Sequence, residues 1–275
     1  MPQFRLAKPG DLPRLTALWQ EAFGDEKAVI ESFWTSCFDK IQVFCLFEKD
    51  ELCAMACALP LQYVDGEGES HACPYFYAVA TAKTWRNRGL CRSLLTQAEN
   101  FLQKQGAKLC CLVPQGVALF GFYEKLGYRS AFTLGEQRLP AAKAPSVRLK
   151  NIDSAAYQNF RQIQLYGKFV AYPDFLLQLQ RAAGEAGGAG LYRLENRDLL
   201  CVAAAEKHGQ TLLIKEMLPA DETLAAHLAA HLGCKELVLR SPREGAAEAK
   251  PFAMAKALDR DFPLPQNAYL ALAFD

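Results

Sequence analysis

One stretch constrains the fold of this chain more than any other: Val79-Ala80-Thr81-Ala82-Lys83-Thr84-Trp85-Arg86-Asn87-Arg88-Gly89-Leu90-Cys91-Arg92-Ser93-Leu94-Leu95. It starts at the end of a run from Cys73 to Thr81, rich in aromatic residues and valine, that reads as a strand. Thr84 to Gly89 is a polar, basic break. From Leu90 to Gln105 the residues Leu94, Leu95, Ala98, Phe101 and Leu102 repeat on one helical face, and Gly106 stands where a C-cap belongs. The order is therefore strand, basic turn, helix. A helix start leaves main-chain N–H groups without partners and carries partial positive charge, and that combination binds phosphate. Gly89 permits close backbone approach, while Arg86, Arg88 and Arg92 add counter-charge. Neither a GxxxxGK-Ser/Thr loop nor GxGxxG occurs, so Walker-type and dinucleotide readings are poor. The bland alternative is a solvated basic turn.

The flanks supply a consistent order. Phe4-Arg5-Leu6 reads as a strand, and a helix follows with Asp11 as N-cap, Pro13 in its first turn and an apolar stripe of Leu12, Leu15, Leu18, Trp19 and Ala22. A second helix is expected near Ala28 to Phe38. Two apolar, strand-like runs, Val43 to Glu48 and Leu52 to Leu61, meet at a Lys49-Asp50-Glu51 hairpin turn, and Asp65-Gly66-Glu67-Gly68 is the next turn. Lys108 to Val113 is a strand, Gly116 to Leu126 a helix closed by Gly127, and Tyr128 to Leu134 a strand.

With these flanks the turn resembles the pyrophosphate loop of the GNAT superfamily of N-acetyltransferases, which reads Arg/Gln-x-x-Gly-x-Gly/Ala between a strand and a helix. Arg86, Gly89 and Cys91 occupy its positions, Cys91 departing from the small residue expected last. The run Phe120-Gly121-Phe122-Tyr123-Glu124-Lys125-Leu126-Gly127-Tyr128 looks like the family's Tyr-Glu-Lys-x-Gly-Phe/Tyr helix end. The resemblance covers about residues 75 to 130. It implies an α/β (α+β) GNAT fold, a mixed, mostly antiparallel central sheet flanked by helices. It implies acetyl-CoA as cosubstrate, no metal, and transfer of the acetyl group directly to a primary amine. Main-chain groups of Val79, Ala80 and Thr81 would hold the pantetheine arm and offer an N–H to the thioester oxygen as charge develops there. Amides of Asn87, Arg88, Gly89, Leu90, Cys91 and Arg92 would hold the diphosphate. Tyr123 would protonate, or hydrogen-bond, the departing sulfur, a phenol of pKa about 10 beside a thiol of about 8.5; its alternative is an aromatic packed into the core. No base is assigned: Cys73 to Thr81 carries no carboxylate, Glu67, Glu69 and His71 lie just before it, and water is an equal choice. Two other readings are a non-catalytic acyl-CoA-binding regulatory module and a structural α/β interaction protein.

The element order recurs after Pro140 to Pro145, which reads as a linker. Val147-Arg148-Leu149 echoes Phe4-Arg5-Leu6; Leu194 to Leu199 echoes Phe47 to Leu52; Gly233 to Leu239 echoes Gly106 to Leu112; and Phe252 to Leu258 echoes the helix at Phe120 to Leu126. A diverged duplication is expected, with an active domain at 1–139 and a degenerate GNAT-like domain at 146–275. In the second half Leu218-Pro219-Ala220-Asp221-Glu222-Thr223 stands at the phosphate turn, where two acids repel a diphosphate, and Ala255 stands for Tyr123. Such a tandem is similar to acetyltransferases of the enhanced-intracellular-survival type. Those place a C-terminal carboxylate in the active site, which makes Asp275 a second catalytic candidate here.

The remaining composition narrows partners. A formal net charge of +1 gives no field to collect nucleic acid or anionic membrane. The polar N-terminus and the lack of a long apolar run point to a cytoplasmic chain. The ten cysteines sit mostly in apolar runs, without a CxxC pair or zinc spacing, and read as reduced, buried thiols. The acceptor is expected to be a small-molecule or peptide amine, with Asp25, Glu26 and Glu31 on the first two helices as acids that attract a cation or simply face water. Nothing in the residues assigns an oligomeric state.

Overall fold

The computed structural model describes residues 2–165, 167–242 and 250–274. Its elements run β1 Gln3–Leu6, α1 Leu12–Phe23, α2 Lys27–Cys37, β2 Gln42–Glu48, β3 Glu51–Leu59, β4 Gln62–Val64, β5 Ser70–Ala72, β6 Tyr75–Thr81, α3 Leu90–Lys104, β7 Leu109–Leu112, α4 Val117–Glu124 and β8 Arg129–Pro140. They continue β9 Arg148–Asn151, α5 Ser154–Gln164, β10 Phe169–Ala171, α6 Asp174–Ala186, β11 Gly190–Glu195, β12 Leu200–His208, β13 Thr211–Leu218, α7 Glu222–His231, β14 Glu236–Ser241 and β15 Lys250–Ala257. The chain forms two compact units, one of residues 1–63, 70–129 and 254–264, the other of residues 64–69, 130–253 and 265–275.

These are not the linear segments 1–139 and 146–275. In the first unit the sheet runs β1-β2-β3-β6-β7-β15, antiparallel except for the β6–β7 pair. In the second it runs β8-β14-β13-β12-β11-β9, antiparallel except for β13–β14. The two orders match strand for strand, but the closing strands are exchanged: β15, late in the chain, pairs with β7, and β8, before the expected linker, pairs with β14. The physical reason is that strand pairing is satisfied by any edge of the right register, and each half offers the other's strand an equivalent edge.

The exchange also corrects one echo. Phe252 to Leu258 is not a helix like Phe120 to Leu126: Met254, Ala255, Lys256 and Ala257 lie opposite Leu112, Cys111, Cys110 and Leu109 in antiparallel register. Ala255 is therefore a strand residue and has no equivalence to Tyr123. Small residues let this strand sit in the first unit's core, where Met254 and Leu258 are buried with Leu94, Leu95, Ala98 and Leu102 of α3. The other echoes fall on matching elements: β9 with β1, the β11–β12 turn with the β2–β3 turn, and the start of β14 with that of β7.

Asp11 stands before α1, yet its carboxylate caps no helical amide. It accepts from Lys8 N at 2.7 Å and from both terminal nitrogens of Arg5 at 2.7 and 2.9 Å, which locks β1 to the helix start.

The second unit buries charge. Arg161 on α5 and Glu216 on β13 are 1% and 0% exposed, with Nε 2.9 Å from Oε1, and the Tyr157 hydroxyl donates to the same oxygen at 2.6 Å. Truncating the arginine strands a buried carboxylate. Arg161→Met should therefore lose about 3–5 kcal/mol of stability, read as a lowered urea midpoint; a loss under about 1 kcal/mol would show that the pair adds nothing net. The C-terminal run is buried in this unit too. It makes single parallel bridges rather than a strand, Ala268 to Phe132 and Tyr269 to Phe169, and its carbonyls at Leu272 and Ala273 accept from Gln180 and Lys215. Asp275 itself lies outside the described residues.

Candidate active site

The site is built where β6 outruns its neighbour. β6 pairs in parallel with β7 at Tyr75–Cys111 and Phe76–Leu112, and β7 ends at Leu112 while β6 continues to Thr81. On its other edge β6 stays paired with β3, through Ala80–Met55 and Thr81–Ala54. The register shifts between Met55 and Cys57, opposite Ala78, whose φ of 50° is rare for a residue with a Cβ. A bulge therefore re-aims Val79, Ala80 and Thr81 beyond the last β7 partner. Among the described strands none pairs with that edge beyond Phe76, so it can hydrogen-bond an extended ligand as a further strand would, although the Thr81 carbonyl already accepts from Arg86 Nε.

The turn that follows is exposed from Arg86 to Gly89. Asn87 and Gly89 have φ values of 60° and 72°. Left-handed residues at alternate positions are a backbone pattern that can form an anion-binding nest. Nothing crowds a Cβ at Gly89, so its requirement is the positive φ rather than a tight neighbour. Gly89 is also the N-cap of α3 and has no side chain to occupy the first amides. The first ladder bond is Ser93 N to Gly89 O at 3.0 Å, so the amides of Leu90, Cys91 and Arg92 precede it.

Surrounding groups fix the turn. Glu21 accepts from Lys83 N at 2.7 Å, Glu51 accepts from Trp85 Nε1 at 2.7 Å, Arg86 Nε donates to Thr81 O at 3.1 Å, and the Arg88 guanidinium lies 4.8 Å from the Trp85 ring. Arg92 is exposed on the first turn of α3. Glu21 and Glu51 had no signal in the sequence, since each looks like an ordinary surface acid.

Tyr123, on the last turn of α4, packs with Leu94 and Leu95 in the core and is 8% exposed. Its ring meets Tyr128 edge-on at 5.8 Å. Its phenol lies within electrostatic reach of Cys91 from the first turn of α3. Burial first, and then Cys91, push the phenol's pKa above its ordinary value. Burial alone pushes the Cys91 thiol up to about 11. Cys91 is therefore neutral at physiological pH and places no negative charge on the first turn of α3.

The second unit lacks this arrangement. At the equivalent start of α7, Asp221 accepts from Leu224 N at 2.7 Å and Glu222 follows, so the helix caps itself with negative charge.

Three of the residues flagged for proton removal and acceptor binding, His71, Asp25 and Glu31, have partners, whereas Glu67 and Glu69 are exposed in the turn before β5. His71 packs edge-on against Phe262 at 4.8 Å, Asp25 accepts from Trp19 Nε1 at 2.7 Å, and Glu31 pairs with Lys27 at 3.4 Å. Glu26 is the N-cap residue of α2. Trp19, Phe33 and Trp34 of α1 and α2 form an aromatic cluster with Tyr77 of β6, at centroid distances of 5.1 to 5.7 Å. Among the described residues no group of His, Cys, Asp or Glu is arranged to hold a metal, and no helix is long and apolar enough to cross a membrane.

A family model described as acetyltransferase (GNAT) domain matches residues 3–131. That match spans β1 through the start of β8 and contains the whole arrangement above. Residues 3–131 thus match a GNAT acetyltransferase domain. No curated protein sequence matches the chain. Solved structures share the fold of nearly the whole chain. A probable N-acyltransferase from Enterococcus faecalis is 16% identical with a TM-score of 0.72, over 94% of this chain and 73% of the other. A GCN5-related N-acetyltransferase from Anabaena variabilis is 13% identical at TM-score 0.73, with the same coverage. Eis1 from Mycobacterium abscessus is 13% identical at TM-score 0.68, over 94% and 74%. The GNAT fold therefore extends past the matched domain into the second unit, as a mixed sheet flanked by helices.

Proposed function

We propose that the first unit transfers an acetyl group from acetyl-CoA directly to a primary amine of a small-molecule or peptide acceptor. The observation that carries this reading is the uncapped, exposed start of α3, with Tyr123 packed behind its first turn. The donor set fits a diphosphate: main-chain N–H groups from Asn87 to Arg92, left-handed Asn87 and Gly89, and arginines at 86, 88 and 92. Acetyl-CoA supplies an activated thioester when bound. Val79, Ala80 and Thr81 hold the pantetheine arm along the open edge of β6 and present an N–H to the thioester oxygen. As the amine nitrogen bonds to the thioester carbon and the carbon–sulfur bond breaks, Tyr123 gives a proton or a hydrogen bond to the sulfur. The proton lost by the amine passes to water.

The second unit serves as a structural partner, since Asp221 and Glu222 hold the place where a diphosphate would sit. Gly89→Ala tests the site most locally. The alanine costs about 1–2 kcal/mol in the left-handed region and puts a methyl group where the ligand approaches. The dissociation constant for CoA, by calorimetry, should rise about ten-fold or more; an unchanged value would remove Gly89 from the site. An acceptor screen with a free-thiol readout of CoA release identifies the amine.

A further inference from the structure

Beneath Tyr123 lies a set of polar groups that the transfer chemistry above does not use. Glu99 of α3 falls on the helix's buried stripe and is 5% exposed. The Tyr128 hydroxyl, wholly buried, donates to Glu99 Oε1 at 2.9 Å, and Lys256 Nζ of β15 lies 2.5 Å from Glu99 Oε2. Cys110 Sγ is 3.4 Å from the Tyr128 hydroxyl, and the Lys256 ammonium is 5.7 Å from the Tyr128 ring. The same Tyr128 ring makes the edge-on contact with Tyr123 at 5.8 Å, and Tyr128 N donates to Tyr123 O at 3.1 Å. The fit is close at Gly127, where a Cβ would stand 3.3 Å from Lys256 Cε.

We infer that Glu99, Tyr128 and Lys256 form a positioning network that holds the Tyr123 phenol in its catalytic orientation, with its one cation delivered by the exchanged strand β15. A buried carboxylate costs several kcal/mol unless it is paired and hydrogen-bonded. Both of its oxygens are satisfied here, one by the tyrosine that touches Tyr123 and the other by a residue 157 positions away in sequence. Losing Lys256 leaves Glu99 to pull on Tyr128 alone or to draw in water. Either response moves the ring against which Tyr123 rests, and displacements of about 1 Å in a reacting group cost up to about 100-fold in rate. The inference rests on the assignment of Tyr123 to the sulfur.

The test is a double-mutant cycle in the full chain. Enzyme-dependent thiol release from acetyl-CoA is followed with hydroxylamine as acceptor, a small nucleophile that needs no shaped pocket, after subtraction of its spontaneous reaction with the thioester. Lys256→Met is compared in the native and Tyr123→Phe backgrounds, with Lys256→Arg as the conservative rescue and CoA affinity measured by calorimetry. Lys256→Met should lower kcat about ten-fold, leave the dissociation constant for CoA within about two-fold, and be restored by Lys256→Arg. In Tyr123→Phe it should have no further effect, because the group it positions is gone. An equal loss in both backgrounds, or none in the native one, overturns the inference. If Tyr123→Phe alone leaves kcat unchanged, the role of Tyr123 fails and the network's role falls with it; a null at Lys256 with a large Tyr123→Phe effect defeats the network only. Should Lys256→Met not fold, Tyr128→Phe keeps the ring and removes the hydroxyl's bond to Glu99 along with its contact to Cys110 Sγ, and the same pattern is required of it.

Discussion

Tyr123→Phe should lower kcat by about 10²- to 10⁴-fold, the range for loss of a positioned proton donor, and leave CoA affinity within a few-fold. The two readouts separate because the phenyl ring keeps the packing of Tyr123 against Leu94, Leu95 and Tyr128 while the hydroxyl beside Cys91 disappears. The pH profile adds a check with a definite sign. Burial and the neighbouring thiol raise the phenol's pKa, so the protonated donor persists past the value of about 10 of a free tyrosine. An alkaline fall in kcat from this group thus lies above pH 10 in the native chain. A near-native kcat in Tyr123→Phe, with CoA still bound, would favour the non-catalytic acyl-CoA-binding reading. That reading draws support from the same turn and differs only in what the tyrosine does.

A chain cut after residue 139 should fail to fold cooperatively, although it contains every residue proposed to hold acetyl-CoA. It lacks β15, the antiparallel partner of β7, and β7 shares only two registered positions with β6. It loses Met254 and Leu258 from the core, worth about 1.5–3 kcal/mol each, and leaves Glu99 without Lys256, worth about 3–5 kcal/mol more when a buried pair is broken. It also frees most of β8, whose Ala131, Phe132 and Leu134 are buried in the other unit. Those losses are comparable with the 5–15 kcal/mol that holds a domain together. Appending residues 250–264 restores the missing strand and should recover folding. A soluble 1–139 fragment with a cooperative unfolding transition and full CoA affinity would mean that β15 is dispensable.

The strand, turn and helix from Cys73 to Gln105 were legible because three local signals coincide there: a β-rich run, a glycine in a basic break, and a 3.6-residue apolar stripe. The bulge at Ala78 was not, since nothing local distinguishes an alanine that must take a positive φ from its neighbours. The duplication was legible in its order and misread at its end. Phe252 to Leu258 carries too few large side chains for its period to separate helix from strand, and its partner β7 decides the matter. The exchange of β8 and β15 has no signature in either strand, because complementarity to an edge is a property of the pair. Glu99 was hidden differently. It sits one residue after Ala98 and four after Leu95, on the buried stripe of α3, and reading only the apolar members of that stripe passes over the carboxylate between them.

In the proposed site, main-chain amides at the start of α3 grip a diphosphate. Calorimetric titration with CoA and, separately, with pantetheine, which has the same arm and lacks the diphosphate and the phosphorylated adenosine, carried out on the native chain and on Gly89→Ala, tests this grip. One CoA should bind per chain, more weakly as salt is raised, with pantetheine at least about 100-fold weaker, a difference of about 2.7 kcal/mol. Pantetheine binding as tightly as CoA, or two CoA molecules per chain, would show that these amides do not hold the diphosphate.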